Sequence, residues 1–393
     1  MQLSDRSSRH TQRIGASSGF SLHYRGSGVN QEKMDLWIKR FFHKKGNLLR
    51  QAMAASDFDA IMSVEAIAAG EYLPDRPRSL SGAAAYSREK RKYMKDLGLA
   101  RADDLIPDRL FQYIQILESG GDRVGFLRSQ SMKMKLMCPQ SANTTWTPKQ
   151  NGYRHYRIRP LVMFLYAIRQ SQLRKTEANT DDLTLSTFRF FTPRDKKRVD
   201  ENFLISHIDA YFERKATEGI DYESDFRSLM ARVERDLGYS LTKDDEHALA
   251  RKSRNAGNEV YCTIIFLRDL GLIEATKTSP DHWSCTQQTY ERTYRLEFNI
   301  VTLTTDGEHA LADALSKVPL WYADLVDIFG SQCFREIEIV HRLARGHQLK
   351  ADEISDIQIQ GLNQIGIVLL RENEIYRVEQ PPVFELQYDM PKL

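Results

Sequence analysis

The chain has 393 residues, 41% apolar and 28% charged, enough for two to four compact cores. Its mean hydropathy is −0.51, and no apolar run approaches the roughly 18 residues an ordinary membrane-spanning helix needs. The opening residues, MQLSDRSSRHTQRIGASSG, lack the apolar core of a secretory signal. The four cysteines, Cys138, Cys262, Cys285 and Cys333, lie far apart and form no Cys-x-x-Cys pair, so neither a zinc ribbon nor a disulfide framework is indicated. The expected setting is a reducing, prokaryotic-type cytoplasm, with no membrane partner.

The net charge of +3 hides an asymmetry. Arg123 to Lys175 holds eleven Lys/Arg and no acid, whereas Ala351 to Leu393 holds three Lys/Arg and eight acids. A solvated face usually mixes signs, so a long one-sign stretch points to a polyanion such as nucleic acid. The alternative is a basic surface that faces an acidic region of the same protein.

Residues 1–30 read as a basic arm rich in Ser, Gly and Arg. Residues 31–150 read as an N-terminal helical, winged-helix-like subdomain. Its first helix carries Leu36, Ile38, Phe41 and Phe42 among Lys39, Arg40, Lys44 and Lys45. A second helix, about Ala84 to Leu97, ends in Asp-Leu-Gly-Leu, and glycine after a last turn is a usual stop signal. Ser141–Tyr153 is a loop by composition. Residues 151–318 form the next expected subdomain. It opens on a helix with Pro160 near its start and LVMFLYAIRQ as its body, apolar nearly all round and therefore buried. TPRDKKRVDENFLISHIDAYFERKA reads as a basic turn and an amphipathic helix carrying Val199, Phe203, Ile208 and Phe212.

Thr242 with Asp245 announces another helix. The turn SRNAGN leads to a helix over Glu259–Leu270, where Val260, Ile264 and Leu267 recur at the spacing of a core-facing stripe. Asn258, Glu259, Tyr261 and Thr263 fall on or near its other side. LIEAT and the alternating YRLEFNI are the expected strands, and Thr305 with Glu308 is the expected capping box of the helix EHALADAL. Residues 319–393 repeat the theme as a small acidic winged helix. CFREIEIVHRLARG is a helix, followed by a short helix, another helix and a hairpin turning at Glu372-Asn373. Its acids repel phosphate, so it is expected to pack on a partner. The fold class is α+β, mostly helical, with tandem winged-helix (helix-turn-helix) subdomains.

The order helix, FLRDLGLIEA, strand, long insertion, FNIVTLTTDGEHAL, then a smaller acidic unit closed by ENEIYRV, resembles the recognition region of FokI-like type IIS restriction endonucleases. YRIRPLVMFLYAIRQ…LRKTEANTDDLTL is similar to the linker into the second subdomain of that family and of related nicking endonucleases. The resemblance covers roughly residues 155–390. It implies tandem winged helices that read an asymmetric DNA site, with a tethered magnesium-dependent cleavage domain of the PD-(D/E)xK type. Such a domain would begin about where this chain stops, at Leu393, so cleavage is expected outside the chain.

A magnesium nuclease needs carboxylates for the metal and a lysine for the attacking water. Pro280-Asp281 with Glu291-Arg292-Thr293 has Thr where Lys is required, and Pro107-Asp108 with Glu118 lacks the lysine. His43-Lys44-Lys45 lacks a following aspartate, and no phosphate-cradling glycine loop occurs. His309 reads as a solvated helix-start residue. No catalytic or metal-binding residue is assigned and no cofactor is expected here; Mg2+ is expected only for an associated nuclease domain.

In a winged helix the start of the second helix meets base edges while flanking cations hold phosphates. Asn255 and Asn258 are candidate adenine readers, and Arg254 could contact guanine through its fork. Arg251 and Lys252 suit phosphate. Glu259 could accept from a cytosine amine, against the alternative of a solvated helix-start acid, and Thr263 lies on the same helix. Arg88 and Lys92 occupy comparable places in the first copy. Arg154, Arg157 and Arg159 could track the backbone, as could Arg194, Lys196, Lys197 and Arg198. The reading is a double-stranded DNA recognition module of a type II (IIS-like) restriction endonuclease, with a nuclease domain or subunit contacting the C-terminal subdomain. A non-catalytic tandem winged-helix regulator or replication initiator is the alternative, and a protein-interaction scaffold a third.

Overall fold

The computed structural model describes residues 108–134, 158–187, 201–219, 260, 263–276, 300–320, 325, 328–330 and 332–384, together with Asp35, Ile38, Lys39, Leu97 and Leu99. In chain order the elements are α1 (Asp108–Ser119), α2 (Arg123–Met132), α3 (Pro160–Leu173), α4 (Thr180–Thr187) and α5 (Glu201–Thr217). Then come β1 (Ile273–Thr276), β2 (Ile300–Leu303), α6 (Thr305–Leu315), β3 (Val318–Leu320) and α7 (Phe334–Ala344). The chain ends on β4 (Leu349–Lys350), α8 (Asp356–Gln364), β5 (Leu369–Glu372), β6 (Ile375–Val378) and β7 (Pro382–Phe384). The α+β, mostly helical class is therefore observed, with three small sheets among the described residues. The chain divides into two compact units, residues 1–32 with 136–309, and 33–135 with 310–393; the division falls inside α6. Each unit joins segments distant in sequence.

In the first unit, α3 is the centre. Pro160 opens it, where a missing N–H costs nothing, and Leu161, Val162, Met163, Phe164, Leu165, Ala167 and Ile168 are all fully buried. It packs on α5, α4 and β2. α5 contributes Leu204, Ile208 and Phe212 to the same core. α4 is tied down by Asn179 and Asp182, whose side chains each accept from the other's backbone N–H, at 2.8 and 2.9 Å. Asp182 also receives Tyr211 Oη at 2.9 Å and Lys215 Nζ at 2.6 Å, so its buried charge is compensated.

The helical residues 263–269 end in a Schellman motif. Gly271 sits at φ 68°, its N–H bonds the Arg268 carbonyl, and the Leu272 N–H reaches back to Leu267. The chain then enters β1, which pairs antiparallel with β2, Ile273 opposite Leu303 and Thr276 opposite Ile300. The described strand β2 begins at Ile300, the last residue of the expected strand; the rest of YRLEFNI lies outside the described residues. Gln172 Oε1 on α3 accepts the Leu303 N–H at 3.0 Å, and Val301 N–H bonds the Ala178 carbonyl, so the ribbon is pinned to the α3–α4 corner.

The cap of α6 is Thr304, one residue before the expected Thr305. Thr304 Oγ1 donates to the Gly271 carbonyl at 2.7 Å and accepts from Gly307 N–H at 3.0 Å. Thr304 wins because its N–H also bonds the Leu272 carbonyl, fixing it against the glycine turn. Gly307 is required there, since a Cβ would lie 2.0 Å from the Leu272 carbonyl oxygen.

In the second unit, Asp122 caps α2 by accepting the Gly125 N–H at 2.8 Å. Asp35 is buried and receives Tyr113 Oη at 2.5 Å and Arg123 Nη1 at 2.7 Å. Leu97 and Leu99, from the first Asp-Leu-Gly-Leu, are fully buried, as Leu272 is from the second. The helix expected over Ala84–Leu97 otherwise lies outside the described residues. Further on, β3 pairs parallel with β7, and a second sheet runs β4-β6-β5. α7 and α8 cover a core of Ile337, Val340, Leu343, Leu349, Leu362 and Ile367. α8 starts on a capping box between Ser355 and Gln358. Gly361 lets Phe329 lie against α8, because a Cβ would sit 2.3 Å from its ring. Where a short helix was expected, residues 351–353 form a turn. The hairpin turns one residue later than expected, at Asn373-Glu374, with Asn373 at φ 57°.

Candidate nucleic-acid interface

Of the fourteen sequence candidates, Arg159 and Thr263 are among the described residues. Both are buried, which contradicts an exposed contact role for either. Arg159 is 2% exposed at the start of α3. Its Nε donates to Glu201 Oε1 at 2.8 Å, its Nη2 to Oε2 at 2.7 Å, and its own N–H to Oε1 at 2.8 Å. The fork that would grip a phosphate holds the first residue of α5 instead. Thr263 is fully buried beside Ile264, Phe266 and Leu267, because the apolar face of this helix is wider than three positions. Val260, Ile264 and Leu267 are buried as their spacing requires. Arg88, Lys92, Arg154, Arg157, Lys196, Lys197, Arg251, Lys252, Arg254, Asn255, Asn258 and Glu259 lie outside the described residues, as do Arg194 and Arg198.

The one-sign stretch from Arg123 to Lys175 finds its acids elsewhere. Among its described cations, Arg123 pairs with Asp35 at 2.7 Å, Arg159 with Glu201, Arg169 with Glu308 at 3.5 Å, and Arg174 with Glu213 at 2.9 Å. None of these acids could be assigned from the sequence, since each lies 39 or more positions away. Lys175 is exposed. Beside this network, burial and then the hydrogen bond to Asp209 push the Tyr166 phenol up to about 12, so it stays a donor.

What faces outward near the ribbon is a helix end and a loop origin. Arg268 is exposed, paired at 3.7 Å with its neighbour Asp269. The ribbon's far end, Thr276 opposite Ile300, is where the segment 277–299 leaves and returns. His309 is exposed on α6, as expected of a solvated residue.

Asp108 and Glu118 stand at opposite ends of α1, about 15 Å apart along the axis, too far to share one metal. Among the described residues no group of three or more His, Cys, Asp or Glu could hold a metal ion. No described helix is long and apolar enough to cross a membrane. Cys333 is buried, and burial raises its thiol above the usual value.

No protein-family model matches the chain, and no curated protein matches it. Among solved structures, the chain is similar to the restriction endonuclease FokI, with 12% identity and a TM-score of 0.34, covering 94% of this chain and 64% of that one. FokI bound to DNA gives 12% identity and a TM-score of 0.32, covering 96% of this chain and 62% of that one. The chain therefore spans less than two thirds of those proteins, and scores at this level show a distant likeness that decides neither fold nor function.

Proposed function

We propose that the chain is a double-stranded DNA recognition module of a type IIS-like restriction system, built from winged-helix subdomains. The observation that carries this reading is the junction at Gly271. There a helix, preceded by the polar and basic residues 251–259, passes through a Schellman turn into a two-stranded ribbon, and α6 is capped on the same turn. In winged helices the recognition helix runs by its end into the ribbon, and side chains at its start meet base edges. On this reading Asn255, Asn258 and Arg254 read bases, Glu259 accepts from a base amine, and Arg251 and Lys252 hold phosphates. Arg88, Lys92, Arg154, Arg157, Lys196 and Lys197 add phosphate contacts. Cleavage, with its Mg2+, belongs to a nuclease domain or subunit that contacts the acid-rich C-terminal segment.

Arg159, buried against Glu201, leaves the phosphate-binding count, so the proposal rests on residues 251–259 and the ribbon. The test is selection from a randomised duplex library at about 150 mM salt, where non-specific binding is weakened. The expected result is one enriched non-palindromic motif, with Asn258→Ala relaxing one position in it. A palindromic motif indicates the two-fold regulator instead. Retention without enrichment, lost as salt rises, would overturn the base-reading assignments.

A further inference from the structure

The C-terminal segment is acid-rich in sum, but its charges are sorted along the fold. From Phe334 to Lys350 there are four Lys/Arg against two acids, and from Ala351 to Phe384 two against six. α7 buries Ile337, Val340 and Leu343 and turns Arg335, Glu338, Arg342 and Arg345 away from that core, at the spacing of one helix face. Lys350 follows on β4, exposed.

The acids nearby are largely engaged. Glu336 Oε1 accepts from Gln358 Nε2 at 2.6 Å. Glu353 meets the charge of Arg342 with its carboxylate, and touches Lys350 and Arg335 through backbone groups. Its Oε1 pairs with Arg342 Nη2 at 2.8 Å, its Oε2 accepts the Lys350 N–H at 2.7 Å, and its carbonyl is 3.4 Å from Arg335 Nη2. The hydrogen bonds from the Lys350 backbone and from Arg342 hold its carboxyl below the usual range, so it stays ionised. Of the four cations Arg342 meets a carboxylate, that of Glu353, and the Arg345 and Lys350 side chains make no hydrogen bond or ion pair among the described residues. Cations at a helix C-terminus are favoured by its dipole, which accounts for Arg342 and Arg345. It does not account for Arg335 in the first turn, where the dipole opposes a cation, nor for Lys350 beyond the helix.

We infer that the outer face of α7 and β4 is a phosphate-backbone grip through which the C-terminal segment holds double-stranded DNA; this rests on the DNA-recognition reading above. From Arg335 to Arg345 the face spans about 15 Å, room for about four phosphates of one strand along the duplex axis. The grip carries no sequence information, because it meets phosphate and not base edges.

The test uses the full chain and a duplex of about 40 base pairs carrying the selected motif, with affinity measured across a salt series. Arg345→Gln combined with Lys350→Gln should lower the slope of log affinity against log salt by about 2. The melting temperature and the selected motif should not change. Glu338→Gln, which removes an opposing charge, should tighten binding. Unchanged slope and affinity in both variants, while the parent binds its motif, would overturn the grip and leave the recognition reading standing. If the parent binds no duplex at all, both fall together.

Discussion

Glu201→Ala separates a structural role for Arg159 from a DNA role. Arg159 is 2% exposed and loses three hydrogen bonds of 2.7 to 2.8 Å when the carboxylate is removed. Removing one partner of a buried ion pair costs about 3–5 kcal/mol, because the remaining charge stays desolvated without its counter-ion. For a unit of some 200 residues, each kcal/mol moves the melting temperature by about 2–4 °C, so the fall should be about 6–20 °C. Thermal and urea unfolding of the parent, Glu201→Ala, Arg159→Met and the double variant complete a cycle. The coupling between the two sites should be large, and the double variant should recover part of the loss, since no charge is then left buried. Arg169→Gln is the control, because its pair with Glu308 is 3.5 Å long and over a third exposed on both sides; its cost should be under about 0.5 kcal/mol. A Glu201→Ala loss below about 1 kcal/mol would refute the reasoning. So would an Arg159 variant that melts normally but loses DNA affinity, and the phosphate role would then return.

Other expectations follow from single contacts. Gly361→Ala adds a methyl 2.3 Å from the Phe329 ring; the clash, about 1–3 kcal/mol, outweighs the roughly 0.5–1 kcal/mol that alanine gains in a helix, so urea unfolding should show a net loss, and a gain would sink the packing described. Gly307→Ala places its Cβ 2.0 Å from the Leu272 carbonyl and should cost about 3 kcal/mol, read by the same assay. Ser355→Ala removes a capping box and should cost about 1 kcal/mol; no change would mean the cap is replaced by water. His341 is held below its usual value by burial and then by Arg345. The unfolded chain therefore takes up its proton first as pH falls through about 6.5, and stability drops below that pH. His341→Gln should flatten this part of the melting-temperature profile between about pH 7.5 and 5.5.

What could be read from the residues was local. The all-round apolarity of LVMFLYAIRQ gave a buried α3, Pro160 marked its start, and the Val260, Ile264, Leu267 stripe is buried as its spacing demands. The glycine of the second Asp-Leu-Gly-Leu marks a helix end because a left-handed residue was needed there. What could not be read was long-range. Arg159 looked like its neighbours Arg154 and Arg157, and nothing along the chain points to a partner 42 positions later. The partners of the one-sign stretch are hidden for the same reason, as Arg123, Arg169 and Arg174 also pair outside it. A three-residue stripe puts Thr263 outward, because the spacing does not show that Phe266 is buried as well. Thr304 and Thr305 differ as caps only through the Gly271 and Leu272 carbonyls, which the fold brings to one of them.

The central claim is sequence-specific DNA recognition by residues around the helix that ends at Gly271. Its most direct measurement is library selection with the parent chain beside Asn258→Ala. The parent should select one asymmetric motif, and the variant the same motif with one relaxed position. Identical selection by both, or no selection by either, would contradict it.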